Sequence, residues 1–319
     1  QISDHEAREL YEQFKNEYKK DYSNESKLPS EHTSMLHFLD DEHRFKIFKD
    51  NLKLAQYYQA NERGTAEYGI TQFSDLTLDE FLAKYANAPV KSSRVVSEVK
   101  YNLKDLPKSI DWRKLGAVTP VEDQGHCGSC WAFSAIGNIE GQWFKKTGQL
   151  VRLSKQQLID CDDQDYGCNG GLPETAYKQL RKMGGIQSEE TYPYKAVDGP
   201  CQLNSSKFVV YVNDSLAFDK SELHQAAWLA EKGPISVALN ARPLQFYKRG
   251  ILLPILYACS KWDINHAVLT VGYANSWILP YWIVKNSWGK EWGEQGYFRI
   301  FRGLGICGIN EVATSAVIY

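Results

Sequence analysis

Gln124-Gly125-His126-Cys127-Gly128-Ser129-Cys130-Trp131-Ala132-Phe133 is the stretch that decides how this chain of 319 residues is read. Far downstream, His266 stands in Ile264-Asn265-His266-Ala267, and Asn286 in Lys285-Asn286-Ser287-Trp288-Gly289. A free thiol with a pKa of about 8.5 is mostly protonated at neutral or acidic pH, and only the thiolate attacks a carbonyl well. Cys130 therefore needs a proton acceptor, which the imidazole of His266 can supply by forming a thiolate-imidazolium pair. From Ala132 onward Phe133, Ile136, Ile139 and Trp143 recur every three or four positions, which predicts a buried helix with Cys130 at its start. The partial positive charge of that helix end favours the thiolate further. Asn286 can accept the ring N–H without itself becoming charged, and Trp288 can shield that bond from water. Gln124, with the backbone N–H of Cys130, can donate to the oxyanion of a tetrahedral intermediate, an effect of about 3 kcal/mol per donor.

Taken singly, each residue has a plainer reading. A lone buried His packs a core, a Gln before a Gly belongs to a loop, and Cys127-x-x-Cys130 is a redox or zinc pattern. Their agreement across separate contexts favours nucleophilic catalysis. With Cys130 set aside, six of the seven cysteines remain, an even number suited to three disulfides in an oxidising compartment. Spacing alone leaves all fifteen pairings open.

Composition bounds the reading further. The 43% hydrophobic content suffices for sizeable cores, and no apolar run approaches the roughly 18 residues of a membrane span. A net charge of −2 and a pI near 6.4 show no basic excess of the kind that binds nucleic acid. No metal-ligand set or phosphate loop is evident, so no cofactor is expected. Gln1 opens directly into a charged amphipathic stretch, which implies that any secretion signal has been removed or omitted. Asn24, Asn204 and Asn213 head N-x-[ST] sequons and are glycan acceptors if the chain passes through a secretory pathway.

The chain divides near residue 105. Upstream, residues 5 to 20 and about 35 to 62 are charged and helical in period; downstream begins a Gly- and aromatic-rich segment of turns and short strands, with residues 91–105 as linker. Residues 1–105 carry 15 basic and 19 acidic groups, net −4, against 22 and 20, net +2, in 106–319. Arg44, Phe48, Asn51, Ala55 and Gln59 fall on one face of a helix, with Asp40 one turn earlier as an ion partner for Arg44. A second pattern follows in Gly69-x-Thr71-x-Phe73-x-Asp75. Apolar runs at 234–239, 267–271 and 281–284 read as strands.

Together these residues resemble papain-like cysteine proteases, with an upstream segment similar to the inhibitory propeptides of the cathepsin F group, from about Asp40 to Tyr319. The departure is Asp40, where Glu is usual. The resemblance implies an α+β fold of two lobes, one helical and one β-barrel-like, preceded by a mainly helical propeptide. It implies domains at 1–105 and 106–319, and the pairings Cys127–Cys168, Cys161–Cys201 and Cys259–Cys307. It assigns Cys130, His266, Asn286 and Gln124 to catalysis, and an apolar P2 pocket to Leu172, Ala238, Ile264, Ala267 and Val312. Gly170 and Gly171 would bond an extended substrate near Trp288. The lack of an occluding-loop insertion between Cys161 and Cys201 argues for an endopeptidase. Its partners would be protein substrates, its own propeptide and cystatin-type inhibitors. It would act as a monomer in a lysosomal or secreted acidic setting. Acid would loosen the propeptide by protonating Asp75, and Asp40 if it pairs with Arg44. Two rival readings are a silent homologue that only binds proteins and a thiol-disulfide or zinc protein built on Cys127 and Cys130.

Overall fold

In a computed structural model, the structure describes residues 2–22, 33–88, 96–255, 258–276 and 278–319, with side chains described from residue 40 in the second of these segments. The sequon at Asn24 and the linker residues 91–95 lie outside them.

The upstream part carries helices α1 (Asp4–Glu17), α2 (Thr33–Ala60) and α3 (Leu78–Tyr85), and strand β1 (Glu67–Tyr68). Helix α1 starts at Ser3, whose hydroxyl takes the N–H of Glu6 while the Glu6 carboxylate bonds back to Ser3, so two orphan donors are satisfied reciprocally. Its Ala7, Tyr11 and Phe14 meet Phe45, Phe48 and Leu52 of α2 in a small aromatic core. Phe48 lies at its centre, with ring centroids 5.2 Å from Tyr11 and 5.0 Å from Phe14. Burial of one such aromatic ring contributes about 3 kcal/mol, which is how a piece this small holds a fixed shape.

The face predicted for α2 is used along its length. Asn51 donates from Nδ2 to the carbonyls of Ser74 and Leu76, at 2.8 Å each. Ala55 packs with Tyr58 against Phe246 and Ala258, and Gln59 bonds Ala66 and Tyr68. The partner expected for Arg44 is corrected: its Nη1 pairs at 2.8 Å with Glu80, 36 residues on, and donates to the carbonyl of Asp75, rather than pairing with Asp40. A tertiary carboxylate presented by α3 here replaces the pairing expected within one helix. Asp75 is itself buried, bonded to Lys20 at 3.1 Å and to the Tyr22 hydroxyl at 2.8 Å.

The remainder has the papain-like α+β architecture of two lobes. One is built on α4 (Cys130–Thr147), α5 (Gln156–Cys161) and α6 (Pro173–Met183), with the short pair β3 (Ile186–Gln187) and β4 (Phe208–Val210). The other combines α7 (Glu222–Lys232) with a sheet. The sheet's strands are β2 (Ser109–Asp111), β5 (Asp214–Ala217), β6 (Ile235–Leu239), β8 (Ile251–Leu252), β9 (His266–Ala274), β10 (Tyr281–Lys285), β11 (Tyr297–Phe301) and β12 (Val312–Val317). Its order is β5-β12-β6-β9-β10-β11-β8, with β2 also on β9, and the pairing is antiparallel except between β8 and β11. Strands β6 and β9 are buried almost throughout, as their unbroken apolar runs require. Helix α4 lies between the lobes and touches α6 on one side and β6, β9 and β12 on the other.

Three disulfides join Cys127 to Cys168, Cys161 to Cys201 and Cys259 to Cys307, and Cys130 is free and buried. A thiol-disulfide or zinc centre on Cys127 and Cys130 therefore has lost one of its two sulfurs to Cys168.

The upstream part is docked rather than tethered. Strand β1 pairs with β7 (Tyr247–Arg249), Gly69 donates to the Phe246 carbonyl, and Thr71 bonds the carbonyl of Gln245 at 2.5 Å. Farther along the chain, Ser97 exchanges two hydrogen bonds with Ala217, and Tyr101 stacks on His224 with centroids 4.4 Å apart.

Candidate active site

Cys130 opens α4, and the site grows outward from its sulfur. The thiol is fully buried, with the backbone N–H groups of Ala267, Asn87 and its own helix start directed at it. Ala267 follows His266 at the start of β9, so the sheet register brings the imidazole beside the helix end. His266 Nε2 lies 2.8 Å from Asn286 Oδ1, at the end of β10, while Nδ1 is buried without a hydrogen-bond partner. That arrangement leaves Nδ1 as the ring nitrogen available to the thiol. The indole of Trp288 stacks on the imidazole, with centroids 4.8 Å apart and planes 21° from parallel.

Gln124 is held by bonds on every side. Its N–H donates to the Ser287 carbonyl at 2.8 Å, its Oε1 accepts from the Ser287 hydroxyl at 2.6 Å, and its Nε2 donates to the Cys127 carbonyl at 3.0 Å. One Nε2 hydrogen engages Cys127, so the second is available to an oxyanion near Cys130. Ser287, between Asn286 and Trp288, was passed over in the sequence; only its place within that run pointed to it.

Charge is buried behind these groups. Thr119 donates to Glu140 at 2.6 Å and accepts from Lys285 at 3.0 Å, the residue preceding Asn286. Burial pushes the Lys285 ammonium down to about 8 and the Glu140 carboxyl up. Lys155 bonds Glu122 at 2.5 Å and Glu189 at 3.1 Å. The run of buried charge ties the end of β10 to α4, and so fixes Asn286.

The residues expected around the P2 side chain separate into two groups. Ala238 stands in register with Ala267 on one side and Val312 on the other, so three small side chains share one patch of sheet. Ile264 packs beside Gly308 on the loop leading into β9. Gly170, Gly171 and Leu172 lie on the loop entering α6, where Leu172 donates its N–H to Asp165 at 3.0 Å. Asp165 went unnoticed in the sequence.

The cleft is filled by the chain itself. After α3, Ala88 donates its N–H to the Asn265 carbonyl at 2.8 Å, and Asn87 donates from Nδ2 to the Asn169 carbonyl at 2.7 Å. Gly170 has φ +113°, and a Cβ there would lie 2.5 Å from the Asn87 carbonyl, so only glycine admits this crossing. Ala88 is buried in one apolar cluster with Cys130, Trp131 and Ala267. A cavity of about 680 Å³ lies elsewhere, against Ser109, Arg113, Tyr281 and Arg299.

With this geometry, the comparisons with known proteins agree. Residues 106–317 match the papain family cysteine protease profile, and residues 11–81 match the cathepsin propeptide inhibitor domain. The chain belongs to the papain family of cysteine proteases. It is 51% identical over 278 residues to a cathepsin F of Mus musculus and 46% identical over 289 residues to one of Drosophila melanogaster. Each match covers 86% of this chain but only 60% and 47% of those relatives, so the chain spans about half the length of the curated relatives it matches first. Among solved structures, the digestive procathepsin L 3 of Tenebrio molitor larval midgut is similar, with a TM-score of 0.82 and 35% identity over 98% of this chain and 99% of that one.

Burial has an electrostatic consequence in this covered form. Loss of water pushes the Cys130 thiol up to about 11 and the His266 imidazole down to about 4, partly offset by Asn286, so burial favours the neutral form of both. Alkylation of the uncut protein by iodoacetamide at pH 6 is therefore expected to run at least tenfold more slowly than after removal of residues 1–105. Equal rates, read by mass spectrometry of the Cys130 peptide, would refute this account of the covered thiol.

Proposed function

We propose that the protein is the zymogen of a cysteine endopeptidase, with residues 1–105 as inhibitor and 106–319 as the enzyme. The observation that carries this is the segment Tyr85-Ala86-Asn87-Ala88, which crosses the sulfur of Cys130 and bonds to both walls of the cleft. Once that segment leaves, water returns, and the thiolate-imidazolium pair regains the solvation that both ions need. Cys130 then attacks the scissile carbonyl, His266 returns the proton to the leaving amine, and water hydrolyses the thioester. Gln124 Nε2 and the N–H of Cys130 hold the oxyanion, and Asn286 keeps the imidazole turned toward the sulfur. Three disulfides suit an oxidising lysosomal or extracellular setting, and no helix among the described residues is long and apolar enough to cross a membrane. Protein substrates and cystatin-type inhibitors fit an open cleft, and the enzyme acts as a monomer.

Replacing Cys130 by Ala removes the nucleophile, so turnover should vanish, whereas Gln124→Ala should lower kcat by about 100-fold with a smaller change in KM. Kinetics on a fluorogenic peptide check both. Wild-type activity in Cys130→Ala would remove the assignment.

The patch of Ala238, Ala267 and Val312 with Ile264 and Leu172 contains no carboxylate to compensate a desolvated cation, whereas a buried Leu gains about 2 kcal/mol. A peptide library should therefore show Leu, Val or Phe at P2, and a preference for Arg over Leu would overturn the pocket.

Acid releases the inhibitor through Glu80 rather than through an Asp40 pair. Burial alone would raise this carboxyl, but Arg44 and the Thr77 N–H hold it below the usual carboxylate value of 4.5. A group depressed in the folded state stabilises above its unfolded pKa and loses that contribution as pH falls through the folded value. Conversion of the 36 kDa chain is expected as pH falls below about 4.5, within the exposed stretch before Leu106. Glu80→Gln should shift the midpoint of conversion to higher pH, as read by gel and N-terminal sequencing. An unchanged midpoint would show that Arg44–Glu80 is not the trigger.

A further inference from the structure

The loop that carries Gly170, Gly171 and Leu172 is folded around two aspartates that the mechanism does not use. Asp162 ends α5 and is only 9% exposed; its Oδ1 accepts the N–H groups of Gln164 at 2.9 Å and Asp165 at 3.1 Å. Asp165 accepts the Leu172 N–H with Oδ1 at 3.0 Å. The other oxygen of each, Asp162 Oδ2 and Asp165 Oδ2, is buried and has no partner outside the pair, and the two side chains lie within hydrogen-bonding reach of each other. Two carboxylates cannot both be ionised at such a contact without strong repulsion, whereas one shared proton converts the contact into a hydrogen bond. The loop has little room to move away. A Cβ at Gly171 would stand 2.6 Å from the Trp131 ring and 2.8 Å from Asp165 Cβ, and Trp131 Nε1 bonds the Gly167 carbonyl at 3.1 Å.

We propose that Asp165 is a positioning residue for the substrate-binding strand Gly170-Gly171-Leu172, and that it holds this strand only while it shares one proton with Asp162. The inference rests on the protease reading for what the strand binds, but not for the pair itself.

The surrounding charges do not neutralise the pair. Helix α6 presents Lys182, which is exposed and engaged by Asp163 at 3.0 Å, and Lys178, which pairs with Glu174. Asp160 of α5 is bonded by Gln156, Tyr192 and the N–H of Gly199, and Asp198 accepts the N–H of Cys168 at 2.8 Å. Burial first, then the charge and hydrogen bond of Asp162, push Asp165 up to about 8. A carboxyl raised in the folded state contributes stability fully below its unfolded value near 3.9, and that contribution fades as pH rises to the folded value. The Leu172 N–H works against this shift, since it bonds an ionised Asp165 better, so what loosens the loop in mild alkali is the repulsion between two buried carboxylates and not the loss of that bond.

The test uses Asp165→Asn and Asp165→Ala. The amide keeps the acceptor for Leu172 and donates to Asp162 with no proton to lose, whereas Ala loses both bonds. After acid maturation, the wild-type KM for a Leu-containing peptide should be flat from pH 5 to 6.5 and rise several-fold as pH passes 8, with kcat less affected. Asp165→Asn should hold a flat KM across that range, and Asp165→Ala should have a raised KM at every pH. A wild-type pH profile in Asp165→Asn, or a normal acid KM in Asp165→Ala, would overturn the proposal. The same pair is read without activity in the uncut chain carrying Cys130→Ala. There the Tm of the Asp165→Asn protein should gain steadily on its parent from pH 5 to 8, and parallel curves would overturn the shared proton. If no preparation cleaves peptides at all, the protease reading fails, and the melting comparison still decides the pair.

Discussion

Trp288 stacks on His266 and meets the rings of Phe73, Phe81 and Tyr85 in edge-type contacts, with centroids 5.1, 5.3 and 6.5 Å away. Its Nε1 donates to the Tyr85 carbonyl at 3.1 Å, and its own carbonyl accepts from Gln72. One indole thus covers the imidazole that needs shielding from water and anchors the segment that blocks the cleft. The two demands do not compete, because shielding uses one face of the ring while docking uses its edge and its polar atoms. Any inhibitor held this way reaches Cys130 in a fixed register: Tyr85 is pinned, so Asn87 and Ala88 arrive at the sulfur.

That register explains how a short stretch of chain silences the chemistry without a bond to it. Ionising a thiol and an imidazole together needs either water or fixed opposite charge close by. Among the described residues the propeptide brings neither to the sulfur, only backbone N–H groups and apolar atoms. The buried charges of the lobe interface, Glu140 and Lys285, are spent on each other through Thr119. They hold Asn286 in place and so prepare the site for water to complete it. Covering the site costs the ion pair its solvation, while the alignment of His266 with Asn286 survives intact at 2.8 Å.

The sequence was most legible where local period and chemistry coincide. Phe133, Ile136 and Ile139 mark α4, and the apolar runs mark β6 and β10 to within a residue at each end, while β9 runs three residues past its apolar run. It was least legible where a partner comes from another element. Arg44 has an acid one turn away in Asp40, yet pairs with Glu80, because α3 folds back across α2 and no periodicity reports that contact. Helix α3 itself was missed, although Thr77-Leu78-Asp79-Glu80 carries a capping box that both bonds of the structure realise. Ser287 escaped for the same reason, since it bonds Gln124, 163 residues away, whereas Asp165 acts within its own loop, on a Leu172 N–H seven residues on that no periodicity marks. Gly69 remains unexplained, since its backbone has an ordinary φ and a Cβ would find only a van der Waals contact.

In the proposed scheme, acid acts through two carboxyls displaced in opposite directions. Glu80 is held below its ordinary range by Arg44, so falling pH removes a restraint on the inhibitor. Asp165 is held above its range by burial and Asp162, so falling pH adds a restraint to the substrate loop. In that scheme both changes would favour an open, ordered cleft in acid, although they arise at separate sites that share no residue. A single titrating group at the interface would have to weaken the inhibitor and strengthen the loop by one protonation. Dividing the task lets each carboxyl be tuned by its own neighbours, a guanidinium in one case and a second carboxyl in the other.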